Sequence, residues 1–165
     1  EEPLNLNKTD SGVIVSRWIE NKPPSPYYEK LVSFDGLCDR LQHYEMCMPA
    51  IGLNKSIYTP TGTGGYGKPH IDETFINISY NFMTPITADK TRYFWFQHRN
   101  GQPHNKDISE YMNAGARTAF IEDKDVLEKV HVGMKEMITP NLDLGLDAGA
   151  KTFRLMLDRA ISAET

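Results

Sequence analysis

Asp123 is the residue most clearly placed to take part in chemistry, because it falls on the apolar side of a long predicted helix. The segment 107–138 has helical periodicity, and at about 100° per residue its apolar positions lie within about 60° of Asp123. These positions are Met112, Ala116, Ala119, Phe120, Val126, Leu127, Val130, Met134, Met137 and Ile138. An ionised carboxylate among apolar neighbours must gain a partner or bind a proton. The nature of that partner is therefore the main chemical question.

Three kinds of partner for Asp123 follow from the residue types. An arginine on a neighbouring strand would form a buried ion pair, and the candidates are Arg40, Arg92 and Arg99. A metal would make Asp123 the carboxylate of a two-histidine, one-carboxylate iron site. A general acid or base is the third role. The residues alone leave these three roles open.

The spacing of the histidines does not complete a metal site around Asp123. His131 lies about two helical turns away and about 80° around the helix, too far to share a metal ion. His98 and His104 could join Asp123 only if the loop before the helix folded back across about two to three turns. The motifs of zinc proteases and serine hydrolases are absent from the sequence.

The glycine-rich segment 61–67, TGTGGYG, has the composition of a phosphate-binding loop. It has neither the Lys-Ser/Thr tail of a P-loop nor the GxGxxG spacing that opens a helix. We therefore predict a flexible hairpin loop here.

Length and charge indicate one globular domain with an ordinary core. The chain has 165 residues, with 18 basic and 22 acidic residues and no basic cluster, which argues against nucleic-acid or anionic-membrane partners. No apolar run approaches the roughly 18 residues of a membrane span. Cys38 and Cys47 have no zinc spacing and are expected to be reduced, buried thiols. The absence of a signal-peptide pattern makes a cytoplasmic location the default, and the missing initiator Met suggests a piece of a longer chain.

The pattern of elements predicts an α+β fold, an antiparallel sheet with a long helix packed across one face. Predicted strands span 12–18, 39–48, 52–59, 74–83 and 91–98, a polar turn spans 84–90, and helices span 107–138 and 150–163. A curved sheet that grips a long helix encloses a pocket for a small apolar ligand. The aromatic run from Tyr93 to Phe96, with Tyr111, could line such a pocket.

Several segments of the sequence resemble one enzyme family. Asn81–Arg99, NFMTPITADKTRYFWFQHR, resembles the TP–YFW hairpin of Rieske-type non-haem iron aromatic oxygenases, in the branch of vanillate O-demethylase oxygenase and dicamba monooxygenase. Phe120–Glu128, FIEDKDVLE, is similar to the EDK helix of that branch. Further similar phrases are Val15–Trp18, the prolines Pro23, Pro24 and Pro26, and Leu144–Gly149, so the resemblance covers nearly the whole chain.

The resemblance implies a helix-grip (START/Bet v1-like) fold and specific site residues. It implies that Asp123 is the carboxylate ligand of a mononuclear Fe(II). It also implies that Asn54 and Asn81 face the substrate, with Asn81 standing where the dicamba-type relative has a histidine. Ala114 stands in place of a pocket tryptophan, which implies a roomier or differently shaped substrate site.

The family's Rieske domain, with its CxH and CxxH ligands for a 2Fe-2S cluster, has no counterpart in this sequence. The two iron-ligating histidines are also missing, and we expect both features upstream of residue 1. Residues 1–165 are then the C-terminal part of the catalytic domain. We expect them to be inactive alone, because one carboxylate without its two imidazoles does not hold Fe(II) tightly.

The implied parent is a monooxygenase, an O-demethylase or hydroxylase, acting on a small aromatic acid. It would use O₂ and electrons from a flavin- or ferredoxin-type reductase, and it would form a homotrimer. The alternative is a stand-alone helix-grip module that binds a small apolar ligand without redox chemistry. In that case Asp123 would pair with an arginine or with a polar group of the ligand.

Overall fold

A six-stranded antiparallel sheet is the main element of the structure, and each strand pairs with the next in sequence. The structure is a computed structural model that describes residues 2–64, 67–68, 70–136 and 143–164. The strands are β1 (Asn5–Lys8), β2 (Gly12–Lys22), β3 (Cys38–Cys47), β4 (Ile51–Pro60), β5 (Phe75–Thr87) and β6 (Lys90–Arg99). The helices are α1 (Lys106–Glu136), a short 3₁₀ helix (Gly145–Asp147) and α2 (Ala148–Ala163). The predicted α+β class, with antiparallel strands followed by helices, is confirmed.

The two sides of the sheet differ in chemistry, and alternation along each strand assigns every side chain to one of them. We call face A the side that carries Asn54, Asn77, Ser79 and Asn81, since Asn54 pairs with Ser79 and Gly52 pairs with Asn81 across β4 and β5. We call face B the side that carries Trp18, Leu41, Lys55 and Ile57, where Trp18 pairs with Leu41 and Leu41 pairs with Ile57.

Two features of the strands differ from the sequence-based predictions. Asn5–Lys8 forms β1 by pairing with Val13–Ser16, although its polar sequence has no strand pattern. The predicted polar turn at 84–90 is wrong, because β5 continues to Thr87 and the turn is formed by Ala88 and Asp89. Pro85 is accommodated where the β5–β6 register shifts between Pro85 and Thr87.

The buried carboxylate of Asp39 ties two loops to the sheet. Its side chain is 3% exposed, and it accepts hydrogen bonds from the backbone N–H of Asn21 and of Gly62, each at 2.8 Å. Asn21 has a positive φ of 55°, so the hydrogen bond to Asp39 stabilises a backbone conformation that most residues avoid. Asp39 therefore fixes the chain where it leaves β2 and where it leaves β4.

The C-terminal helix α2 packs on face A beside β2. Gly149 is buried, and a Cβ at this position would clash with the Cγ2 atom of Val15. Glycine is therefore required for the close approach of helix and strand. The helix begins at Ala148, two residues before the predicted start at 150, because the 3₁₀ helix leads directly into it.

The chain divides into two compact units, residues 1–101 with 144–165, and residues 102–143. The second unit consists mainly of α1, whose first turn is capped by Asn105, since the Ile108 N–H donates to Asn105 Oδ1 at 3.3 Å. The helix therefore begins at Lys106, one residue before the predicted start at 107. Residues 137 and 138 of the predicted helix lie outside the described residues.

The two halves of α1 differ in burial. Met112 and Ala116 are buried in the first half. In the second half the apolar stripe is exposed, at Val126 (59%), Leu127 (64%), Val130 (48%) and Met134 (54%). Among the described residues, no helix combines the length and the apolar character needed to cross a membrane.

Candidate functional site

Asn54 and Asn81 lie on face A, on neighbouring strands and one diagonal step apart. Asn54 is exposed at the centre of β4, whereas Asn81 on β5 is only 6% exposed. Gly52 is the direct cross-strand neighbour of Asn81, and the space beside it is filled, because a Cβ there would lie 3.7 Å from Asn81 Cβ and only 3.2 Å from Met46 Sδ. The structure therefore brings these two predicted site residues together, with different exposure.

The side chain of Asn81 is held by hydrogen bonds within the sheet. Its Nδ2 group donates to the backbone oxygens of Gly52 at 3.3 Å and Ser79 at 3.4 Å. Its Oδ1 atom accepts a hydrogen bond of 2.6 Å from the Tyr93 hydroxyl. Both ends of the amide are thus engaged, and the direct effect of Asn81 is to fix the position of Tyr93. Contact between Asn81 and a substrate stays a prediction.

Asn77 and Ser79 are two further polar residues of face A that the sequence analysis did not single out. They are 3% and 6% exposed, and Asn77 Oδ1 and Ser79 Oγ have no hydrogen-bond partner within the described part of the chain. A buried polar atom without a partner costs about 1–3 kcal/mol, so such atoms are available to a ligand or to ordered water. The alternating N-x-S-x-N pattern of Asn77, Ser79 and Asn81 was the signal for them.

Face A also carries two arginines, and near one end of the sheet Tyr28 covers Tyr58 on this face by ring stacking. The buried Nε atoms of Arg17 and Arg40 have no hydrogen-bond partner among the described residues. Tyr28 stacks on Tyr58 with ring centroids 4.5 Å apart, and its hydroxyl accepts a hydrogen bond of 3.3 Å from Asn77 Nδ2. Burial raises the pKa of Tyr58. The sheet side of the candidate site is therefore polar and contains cationic groups.

The aromatic run of β6 is divided between the two faces. Tyr93 pairs with Met83 and Trp95 pairs with Asn81 on face A. Phe94 and Phe96 lie on face B, where they are 54% and 43% exposed, and Phe96 stacks on Tyr80 with centroids 4.8 Å apart. Only Tyr93 and Trp95 of this run therefore share a face with the predicted substrate residues.

Asp123 and Ala114 both lie on α1 and are both exposed. Within the helix, Lys124 pairs with Glu128 at 3.6 Å, whereas Asp123 forms no ion pair inside α1 as far as that helix is described. Nine residues correspond to about two and a half turns of a continuous helix. Ala114 and Asp123 therefore project from opposite sides of α1, and a role of Ala114 beside Asp123 stays a prediction.

The described residues do not contain the ligands for a complete iron site. No group of three or more His, Cys, Asp and Glu side chains lies together in the described ranges. His98 lies on face B, with its ring 5.4 Å from Tyr80 and 5.2 Å from Phe96. His43 pairs with Glu45 at 3.2 Å. A mononuclear iron of the facial-triad type needs two imidazoles with its carboxylate, so Asp123 would be one ligand of an incomplete set.

The two cysteines are free thiols, as the sequence predicted. Cys38 is buried and donates to the backbone oxygen of Lys22 at 3.2 Å. Cys47 is only half-buried and donates to Glu45 Oε1 at 3.4 Å. Burial raises the pKa of both thiols, and the hydrogen bond to Glu45 raises that of Cys47 further. Neither thiol is therefore activated as a nucleophile or metal ligand.

Comparison with known proteins decides the family. The sequence model of the vanillate O-demethylase oxygenase C-terminal domain matches residues 1–163. The chain belongs to this family. A vanillate O-demethylase oxygenase subunit from Pseudomonas sp. (strain HR199 / DSM 7063) is 28% identical over 99% of this chain and 48% of its own length. The iron-sulfur subunit of a toluene-4-sulfonate monooxygenase system from Comamonas testosteroni is 28% identical over 98% of this chain and 47% of its own length.

A solved structure has the same fold as this vanillate O-demethylase oxygenase C-terminal domain. The crystal structure of dicamba monooxygenase bound to 3,6-dichlorosalicylic acid matches 98% of this chain with a TM-score of 0.83 and 16% identity. The match confirms the expected fold class, and it covers 47% of that enzyme. The chain thus spans about half the length of the curated relatives it matches.

Proposed function

We propose that this chain is the C-terminal catalytic-domain part of a Rieske-type non-haem iron monooxygenase that acts on a small aromatic acid. The observation that carries the proposal is the family match over residues 1–163. The relatives are named for vanillate and toluene-4-sulfonate, and the structural relative was solved with a chlorinated salicylic acid. All three compounds combine one aromatic ring with an acid group. The reaction is an O-demethylation or a hydroxylation of such a compound.

In this proposal face A supplies the polar contacts of the substrate site. Asn77 Oδ1 and Ser79 Oγ are buried and have no hydrogen-bond partner among the described residues, so each would gain a hydrogen bond from a polar substituent of the substrate. Asn54 is exposed on the same face and can orient the substrate from the next strand. Asn81 acts through Tyr93, whose hydroxyl it holds at 2.6 Å. Arg17 and Arg40 give this face a positive charge that favours an acid.

Asp123 is proposed as the carboxylate ligand of the mononuclear Fe(II), which supplies the activation of O₂ when it is bound. The two imidazole ligands and the 2Fe-2S cluster of the Rieske domain would come from sequence outside these 165 residues. Delivery of electrons by a flavin- or ferredoxin-type reductase, a homotrimeric parent and a cytoplasmic location stay predictions of the family resemblance. A role of Ala114 in shaping the substrate site is proposed on the same ground.

The test is the metal content of the longer protein that contains this chain. We expect its upstream sequence to encode an iron-binding histidine pair and the CxH and CxxH cluster motifs, and the purified protein to show a 2Fe-2S absorption spectrum. Asp123→Ala should remove the mononuclear iron and leave the cluster in place. Asp125→Ala, two residues further along the same helix, is the matched control and should keep both metals.

Two results would contradict the proposal. If no cluster or histidine motif is encoded upstream, the chain is a stand-alone helix-grip module that binds a small ligand without redox chemistry. If Asp123→Ala retains the full mononuclear iron content, the carboxylate ligand lies elsewhere, even though the protein is an oxygenase.

A further inference from the structure

A cavity of about 260 Å³ lies on face B, on the opposite side of the sheet from Asn54 and Asn81. Its floor is formed by Trp18, Leu41 and Ile57, which are direct cross-strand neighbours on β2, β3 and β4. A cavity of about 150 Å³ holds a benzene molecule. The space on face B is therefore sufficient for one aromatic ring with an acid substituent.

The rim of this cavity is positively charged. Lys55, Lys68 and His70 line it, and none of the described residues that line it is an aspartate or glutamate. Lys55 is half-buried in the middle of β4, and Lys68 is exposed in the loop that follows this strand. Neither lysine forms an ion pair in the part of the chain that the structure describes. Lys55 lies directly across from His43, and Glu45, the ion-pair partner of His43, lies one diagonal step from Lys55 on face B. A half-buried ammonium group that forms no ion pair with the described carboxylates favours an anion at this position.

The wall of the cavity is fixed by a network of threonine hydroxyls. Thr59 and Thr74, which are 2% and 3% exposed, are joined by a hydrogen bond of 3.3 Å from Thr74 Oγ1 to Thr59 Oγ1. Thr63 bonds to Thr59 through its hydroxyl at 2.9 Å, and Asp39 accepts the N–H of Gly62. The start of the glycine-rich segment is therefore anchored to the sheet, so this part of the cavity is formed before any ligand binds.

We propose that this cavity binds a single-ring aromatic carboxylate or sulfonate. The ring lies against the indole of Trp18 and the side chain of Ile57, and the acid group lies toward Lys55 and Lys68. Apolar floor and cationic rim are both needed, because an inorganic anion would leave the floor exposed and a neutral ring would leave the lysines unpaired. The proposal gives a ligand role to Gly64 and Gly67, the described residues of the glycine-rich segment that line the cavity, and it does not depend on the proposed oxygenase function.

The two tryptophans of the chain make the site directly observable, since Trp18 lies on face B and Trp95 on face A. Benzoate and benzenesulfonate are titrated into the ¹⁵N-labelled chain, with the two indole N–H signals assigned by Trp95→Phe. We expect the Trp18 indole signal to shift and saturate in the millimolar range. A shift of the Trp95 signal reports binding at face A, so the proposed substrate site and this site succeed or fail separately.

The charge requirement is tested with Lys55→Met, which keeps the aliphatic part of the side chain. We expect affinity to fall by about fivefold, corresponding to about 1 kcal/mol for one partly exposed charge pair. Lys90→Met, at the start of β6 and outside the cavity lining, is the matched control and should bind as the parent chain does.

Three outcomes would overturn the proposal. The first is an unshifted Trp18 signal at saturating benzoate in a chain that is folded by its other resonances. The second is equal affinity for neutral benzamide, which would make the cavity merely apolar. The third is equal affinity for inorganic sulfate, which would show that the aromatic ring contributes nothing.

Discussion

The centre of β5 and the second half of α1 distribute polarity in opposite ways. β5 turns Asn77, Ser79 and Asn81 to its more buried side, whereas the end of α1 exposes apolar residues such as Leu127 and Val130. On β5, burial of polar groups is offset by hydrogen bonds within the sheet where these exist, as at Asn81. On α1, the apolar stripe has the periodicity of a buried helix but remains exposed. Periodicity thus predicts which residues share a side, and the surroundings decide whether that side is covered.

The largest expected effect concerns a buried carboxylate of the sheet, that of Asp39. Asp39→Ala removes the acceptor of two backbone N–H groups at 2.8 Å. We expect the free energy of unfolding to fall by about 4 kcal/mol, since each hydrogen bond to a charged group contributes about 1.5–3 kcal/mol. Urea unfolding measures the change.

Asp35→Ala, at an exposed aspartate of the preceding loop, is the control and should change stability by less than about 0.5 kcal/mol. Equal effects of the two variants would show that buried polar groups of the sheet contribute no more than surface ones.

The two halves of α1 can be compared directly by truncating one apolar side chain in each. Met112 is 3% exposed and Leu127 is 64% exposed. Met112→Ala should lower the free energy of unfolding by about 3 kcal/mol through lost burial and a residual cavity. Leu127→Ala should change it by less than about 0.5 kcal/mol, measured by the same urea titration. A loss of similar size at Leu127 would mean that the second half of the helix is covered in solution.

The two predicted site asparagines of face A differ in their contacts, since the side chain of Asn81 is held by hydrogen bonds and that of Asn54 is exposed. Asn81→Ala removes three hydrogen bonds, including the 2.6 Å bond from Tyr93, and should cost about 2 kcal/mol of stability. Asn54→Ala, at an exposed position on the next strand, should cost less than about 0.5 kcal/mol. Thermal unfolding followed by circular dichroism measures both. If Asn81→Ala is as neutral as Asn54→Ala, the hydrogen bonds do not fix Asn81 in solution.

Much of the fold could be predicted because the strands carry local signals. GVIVSRW in β2 and the aromatic run of β6 have the β-branched and aromatic content of strands. β1 has no such signal, since NLNK becomes a strand only by pairing with residues 13–16. Pro85 predicted a turn, but a shift in register between β5 and β6 accommodates it within the strand. Both misses depend on pairing with the next strand of a hairpin, which the residues of one strand do not show by themselves.

The candidate site was predictable to a smaller extent. The segments that resemble the family predicted Asp123, Asn54 and Asn81 as site residues, but such a segment does not show which atoms of a side chain already form hydrogen bonds. The bond from Tyr93 to Asn81 depends on the register of the β5–β6 hairpin, in which Asn81 faces Trp95. The cavity on face B depends on three strands and a loop meeting at Trp18. Neither feature has a signature within a single segment.

The smallest expected effect concerns Tyr58, a buried hydroxyl that closes one end of face A. Its oxygen lies 3.2 Å from Ser25 Oγ, and burial raises its pKa above the ordinary value of about 10. The folded protein therefore keeps this proton at a pH where the unfolded chain has lost it. The resulting contribution to stability is fully present below about pH 10 and is lost as the pH rises through the folded-state pKa.

Tyr58→Phe should cost about 1 kcal/mol at neutral pH, through the lost hydrogen bond, and should flatten the alkaline loss of stability. Urea unfolding at pH 8 measures the cost of the lost hydrogen bond, and the difference between pH 8 and about pH 10.5 measures the alkaline loss of stability. Tyr44→Phe, at a residue that is 49% exposed, is the control for the neutral-pH cost and should stay within about 0.5 kcal/mol of the parent chain. A Tyr58→Phe variant whose stability falls as steeply above pH 10 as that of the parent chain would show that Tyr58 is solvated. The closed end of face A would then be open to water, and the contrast between buried polar groups on the sheet and exposed apolar groups on α1 would be weaker there.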